Sequence, residues 1–231
     1  MKHFIFIILT GTFFCFNASA QEIKRTEPDL SDYIPLLNAA GYEVFTFDIA
    51  SLKDETYNIQ FTIREYTEGT LVYDSSKSGF VFSITNRTMI SGFPEESQKK
   101  ILSEGLAYDL AKGIYTLGEK ISIGFTPSAD SLKTVTMSIE NMGSLQRSLS
   151  LKPLTASKWK GKFMYGYRPF KVSVIQFGCF TPLLMVGSYW YDDKFDIVRF
   201  CGENELSVDL SSEMLSLIPH YYVIGIIVTK K

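Results

Sequence analysis

Tyr57-Asn58-Ile59-Gln60-Phe61-Thr62-Ile63-Arg64 decides the fold. Its apolar side chains fall on every second residue and polar ones fill the gaps, the period of a strand with one buried and one wet face. The pattern recurs. Ile121, Ile123 and Phe125 alternate with Lys120, Ser122, Gly124 and Thr126, and Val135, Met137 and Ile139 with Thr134, Thr136, Ser138 and Glu140. Further strands are predicted at 42–49, 70–74, 79–84, 145–151, 158–167, 170–177, 183–191, 195–200, 206–210 and 221–228. Glu68-Gly69, Pro127-Ser128-Ala129-Asp130 and Tyr191-Asp192-Asp193-Lys194 supply turn chemistry between them.

Residues 221–228 differ from the rest, being almost continuously apolar. Such a run fits a strand covered on both faces, which places it centrally, with Gly225 where a neighbour approaches closely. Helical signals are few. Pro94-Glu95-Glu96 opens a helix over 95–104, a second is predicted over 212–218 before Pro219, and a third lies between 29 and 41, where Pro35 interrupts it. None alternates with strands as βαβ units would, so the predicted class is all-β, mainly an antiparallel β-sandwich or barrel-like fold with two or three short helices.

The N-terminus reads as an address. Lys2 and His3 precede an apolar stretch over 4–16, and Ala18-Ser19-Ala20 puts small residues before a cleavage point between Ala20 and Gln21. At 1.5 Å per residue that stretch reaches about 20 Å, too short for the roughly 30 Å hydrocarbon core of a bilayer. Residues 1–20 are therefore expected to be a cleaved signal peptide. Residues 21–231 are expected to form a single β-rich domain, the alternative being two packed subdomains, 21–152 and 153–231. No membrane span is expected after cleavage, and the destination is the periplasm or the cell surface.

The 231-residue chain carries 23 basic and 25 acidic side chains, so no net field directs it to nucleic acid. Cleavage leaves Cys179 and Cys201, which in an oxidising compartment either pair as a disulfide or persist as buried thiols. It also leaves one histidine, His220, which reads as a structural residue at the start of a strand. No catalytic set, metal-ligand spacing or cofactor loop stands out, so no cofactor and no metal are expected.

Two surfaces are candidates for ligand binding. An extended chain puts Lys158, Lys160 and Lys162 on one face and Trp159, Phe163, Tyr165 and Tyr167 on the other, a basic stripe backed by aromatics. Alternatively those aromatics are core and the lysines a solvated face. Tyr189-Trp190-Tyr191-Asp192-Asp193 offers rings for sugar C–H faces and carboxylates for hydroxyls, although core plus turn is the plainer reading.

Arg199-Phe200-Cys201-Gly202-Glu203-Asn204-Glu205-Leu206-Ser207-Val208-Asp209-Leu210-Ser211-Ser212, with the ending Ile218-Pro219-His220-Tyr221-Tyr222-Val223-Ile224-Gly225-Ile226-Ile227-Val228-Thr229-Lys230-Lys231, resembles the C-terminal part of a family of uncharacterised exported Bacteroides proteins of similar length. The resemblance implies a Bacteroidetes envelope and no known activity. Asp130-Ser131-Leu132 is similar to the short O-glycosylation signal of that phylum, with Ser131 as acceptor. The leading expectation is a non-enzymatic binding or structural module, its partner a glycan or another envelope protein. The rivals are a carboxylate-based glycan hydrolase and a surface-assembly subunit that uses its C-terminal strand.

Overall fold

The computed structural model describes residues 28–79, 81–108, 115–127, 131–172 and 174–231. The expected signal segment and the expected cleavage point between Ala20 and Gln21 lie outside them. In chain order the first half holds α1 (Leu30–Ala39), β1 (Glu43–Asp48), β2 (Tyr57–Thr67), β3 (Thr70–Asp74), β4 (Ser83–Thr85), β5 (Arg87–Met89), α2 (Glu95–Ser103), β6 (Ala107–Tyr108) and β7 (Tyr115–Leu117). The second half holds β8 (Lys120–Phe125), β9 (Leu132–Ile139), β10 (Gly143–Ser150), β11 (Tyr165–Pro169), β12 (Phe180–Ser188), β13 (Trp190–Asp192), β14 (Ile197–Arg199), α3 (Glu213–Leu217) and β15 (His220–Lys230).

Two antiparallel sheets dominate. The first runs β1-β8-β9-β10; the second runs β11-β12-β15-β2-β3, with β4 sharing the β3 edge of β2. Their facing residues follow the period-two rule. Ile121, Ile123 and Phe125, with Val135, Met137 and Ile139, pack against Ile59, Phe61 and Ile63 and against Tyr222, Ile224, Ile226 and Val228. The chain is therefore a mainly antiparallel, sandwich-like β fold with three short helices.

β15 sits between β12 and β2, paired with β2 from His220↔Thr67 to Lys230↔Tyr57. Its even residues face the first sheet. Its odd residues Tyr221 and Val223 join a second core with Met185, Trp190, Met214 and Ile218 on the opposite face of the sheet. Both faces are covered, as the continuous apolar run requires. A Cβ at Gly225 would collide with the Thr181 carbonyl oxygen and come within 2.8 Å of the Phe180 ring, so only glycine fits there.

Three predicted strands need correction. Of 158–167 only the end is strand: Ser157–Trp159 is a 3-10 turn, Gly161 takes a left-handed φ of 85°, and Leu154 accepts from Gly161, closing a loop. The 170–177 run is apolar, yet Val172 donates to Phe170 and Cys179 to Gln176, tight turns that leave it outside the ladder. At 206–210 the Asp209 carboxylate accepts from the amide and hydroxyl of Ser211, an Asx turn that outcompetes strand geometry. Cys179 and Cys201 are exposed free thiols, so neither the disulfide nor the buried-thiol alternative describes them. They lie in the loops beside β12 and β14, where no packing draws them in.

Gly225→Ala is expected to cost about 1–3 kcal/mol or more through this clash, and Ile224→Ala about 2–5 kcal/mol through the cavity it leaves. Removing residues 220–231 takes away the shared strand of both cores and should abolish cooperative unfolding. Thermal and denaturant melts check all three; a truncated chain that melts cooperatively would show β15 to be an appendage.

Candidate functional site

The structure brings the two predicted surfaces together. β13 and β14 form a hairpin whose tip, at Asp193 and Asp196, meets the 157–162 loop. Lys158 donates to Asp196 at 2.7 Å, Tyr191 donates to the other oxygen of that carboxylate at 2.7 Å, and Arg199 pairs with Asp192 at 2.7 Å. Trp159 is half-buried with Lys162 over its ring at 5.0 Å, Tyr189 stacks on Phe200, and Trp190 belongs to the second core. The lysines 158, 160 and 162 are exposed and Trp159, Phe163, Tyr165 and Tyr167 are more buried, although the segment before Tyr165 is a turn and loop and not the alternating strand expected of it. Charges and rings in this patch are largely spent on one another, and exposed pairs of this kind contribute little to stability. Asp193 and Lys160 stay open to solvent, as does Ser131 at the turn before β9.

A more concave arrangement lies between the sheets, beside β10 and β3. There a pocket of about 540 Å³ has an apolar floor of Phe61, Ile63, Phe82 and Leu149. Its polar wall carries Glu65, Arg147, Tyr73, Tyr222 and several serines. Register explains the composition. Glu65 continues the core-facing series Tyr57, Ile59, Phe61 and Ile63 on β2, and the ladder sets it between Tyr222 and Tyr73. Arg147 continues the face of Leu145 and Leu149 on β10. Each sheet thus contributes a charged residue to this cleft, Glu65 from the second and Arg147 from the first. Tyr222 spans the gap, donating to the Ser150 carbonyl at 2.8 Å.

Behind Glu65 stands a chain of hydrogen bonds. The Lys152 amide donates to the Tyr165 hydroxyl at 2.8 Å, and that hydroxyl lies 2.5 Å from His220 Nδ1. His220 Nε2 lies 3.0 Å from Glu65 Oε1. Burial pushes the Tyr165 phenol up to about 12, so it remains a donor. It therefore gives its proton to Nδ1, and Nε2–H is left to donate to the carboxylate. Burial lowers the pKa of His220, outweighing the hydrogen bond it donates to Glu65, so the imidazole is neutral at physiological pH. His220 is 2% exposed and Glu65's side chain 22%, so the carboxylate is the member of the chain that reaches the pocket.

Sequence reasoning singled out His220 as a structural residue and Tyr165 as one ring of the aromatic stripe, and neither Glu65 nor Arg147. The signal for Glu65 and Arg147 was an ionic residue at the core-facing phase of an alternating strand. Among the described residues no group of three or more His, Cys, Asp or Glu is placed to hold a metal, and no helix is long and apolar enough to cross a membrane.

A family model described as a domain of unknown function, DUF5041, matches residues 13–230. No curated protein and no solved structure matches the chain.

The neutral buried imidazole has a consequence for stability. The unfolded chain binds a proton at the ordinary histidine pKa near 6.5, and the folded chain binds it only at lower pH, so stability is full above that value and falls as pH drops through the interval below it. Denaturant melts between about pH 7 and pH 5 should show this loss, and His220→Gln should flatten it. An unchanged profile in the variant would assign the pH dependence to other groups.

Proposed function

The chain belongs to the DUF5041 family, and we propose that it is an exported, non-enzymatic binding module of the cell envelope whose ligand seats in the Glu65 pocket. The observation that carries this reading is one cleft with an apolar aromatic floor and a wall of hydrogen-bonding groups, the usual make-up of a small-ligand site. A saccharide matches it best. Sugar hydroxyls pair with Glu65, Arg147 and the serine hydroxyls, and C–H faces lie on Tyr73 and Phe82.

Hydrolysis asks for more than this cleft offers. A glycosidase sets two carboxyl groups about 5–10 Å apart across the bond. Among the described residues Glu65 is the single carboxylate lining this pocket, and a second cavity beside β1 likewise has one, Asp48, whose Oδ1 is held by the Ala50 amide. Donation of the C-terminal strand to a neighbour is disfavoured because β15 is central to both cores.

The N-terminal pattern supports export, to the periplasm or cell surface of a Bacteroidetes-type envelope, with a mature chain beginning at Gln21. We read 21–231 as one unit, since a boundary at 152 would part β2 from β15.

A glycan array followed by calorimetry on the mature protein tests the assignment. Wild type should bind at least one oligosaccharide, and Glu65→Ala or Arg147→Ala should weaken binding about tenfold or more, the loss expected when a charged hydrogen-bonding partner of the ligand goes. Undiminished binding by both variants would move the site elsewhere. Release of reducing ends by wild type, lost in Glu65→Gln, would replace binding with hydrolysis. N-terminal sequencing of the exported protein should begin at Gln21.

A further inference from the structure

The first sheet ends at β1, and no strand among the described residues pairs with its far edge. The Ile49 amide donates across the ladder to Glu119 at 2.8 Å. Peptide groups alternate in direction along a strand, so Glu43, Phe45 and Phe47 also bond toward β8, while Val44, Thr46 and Asp48 turn their amides and carbonyls to the open side. β1 carries an acid at each end, Glu43 and Asp48, and none of the other usual guards of an edge between them. It contains no lysine, proline or bulge, its six residues stay in register with β8, and Val44 is 65% exposed.

Beside that edge lies the second cavity, of about 590 Å³. Phe47, Ile49 and Leu52 wall it on the β1 side, and Tyr57, Leu183 and Ile226 on the six-stranded sheet. Val174 and Phe177 form its rim, apolar yet 73% and 55% exposed. Thr46 and Asp48 also line it, although they are on the exposed phase of β1. The wall they give is thus the unpaired edge of the strand itself.

An open hydrogen-bonding edge alongside an apolar trough is the geometry of strand addition. We infer that this trough takes an extended, uncharged segment of another protein chain, apolar at every second residue, which adds to β1 as a fifth strand of the first sheet. Its backbone pairs with Val44, Thr46 and Asp48. One set of its side chains fills the cavity, and the other lies along the exposed Val44 and Thr46 face. Among the described residues lining the trough Asp48 is the one carboxylate, so an acidic segment is disfavoured. A small apolar molecule would fill the space yet cover edge amides without pairing them, which costs binding energy. The inference is independent of the Glu65 pocket.

The probe is a synthetic peptide of alternating valine and threonine, about eight residues long, the usual length of a strand. Three comparisons accompany it: the same peptide N-methylated along one edge, a scrambled peptide of equal composition, and decanol. Fluorescence anisotropy on the mature protein should show saturable binding of the alternating peptide. N-methylation, scrambling and Val174→Asp should each weaken binding about tenfold or more, and hydrogen exchange at the Val44 and Thr46 amides should slow on binding. Val174 is exposed, so its variant keeps the fold, which a thermal melt verifies. Equal affinity for the scrambled or N-methylated peptide, displacement of the peptide by decanol without amide protection, or no peptide binding would each overturn the inference.

Discussion

The burial of β15 on both faces is the constraint from which the rest of the structure follows. Its even residues close the core shared with the first sheet, and its odd residues close the core under α3. Each fully buried aliphatic side chain is worth about 1.5–3 kcal/mol, comparable with a sizeable share of the net stability of a domain. Because β15 is hydrogen-bonded to β2 along its whole length, β2 is fixed in rotation and register, and so is the direction of every side chain it carries. Glu65 points into the sandwich for the same reason that Ile63 does. The site is held by the strand that holds the fold.

Unequal sheets account for the two cavities. The first sheet has four strands in its path and the second five, with β4 alongside. At the β10 side, β2 and β3 extend past their cover, and the inner face there is lined by Glu65, Tyr73 and Arg147. At the β1 side, the 170–177 run folds over the space instead of adding a strand, leaving Val174 and Phe177 at the rim of an apolar trough. The cleft beside β10 is thus lined by Glu65 and Arg147, whereas the trough beside β1 is lined mainly by apolar side chains, with Asp48 at its edge.

Period-two alternation made β2, β8 and β9 legible from sequence, and the unbroken apolar run made β15 legible as central. Those signals are local. The segments that resisted reading were apolar ones whose backbone found bonds within a few residues: the Val172 turn, the Asp209 turn and the loop around Gly161. In the hairpin, Trp190 lies in the second core, Tyr189 stacks on Phe200, and Tyr191 ties down Asp196, so three adjacent rings have three different roles. Glu65 escaped for another reason. Its meaning depends on His220, 155 residues away in sequence, and no periodicity reports a partner at that distance.

Inward-facing charge has two physical readings, and the two ionic residues of the cleft divide between them. Arg147 lies on β10, the outer strand of its sheet, where an inward charge discourages edge-to-edge association whatever else it does. Glu65 lies on β2, flanked on both sides by paired strands, where no edge needs guarding. The imidazole beside that carboxylate is neutral, so His220 meets it as a hydrogen-bond donor and not as an opposing charge. Tyr165 and His220 orient the carboxylate toward the cleft without neutralising it. Glu65 therefore stands at a core-facing position of β2 with its carboxylate at the cleft, where the ligand proposed for that cleft would meet it with hydrogen-bond donors.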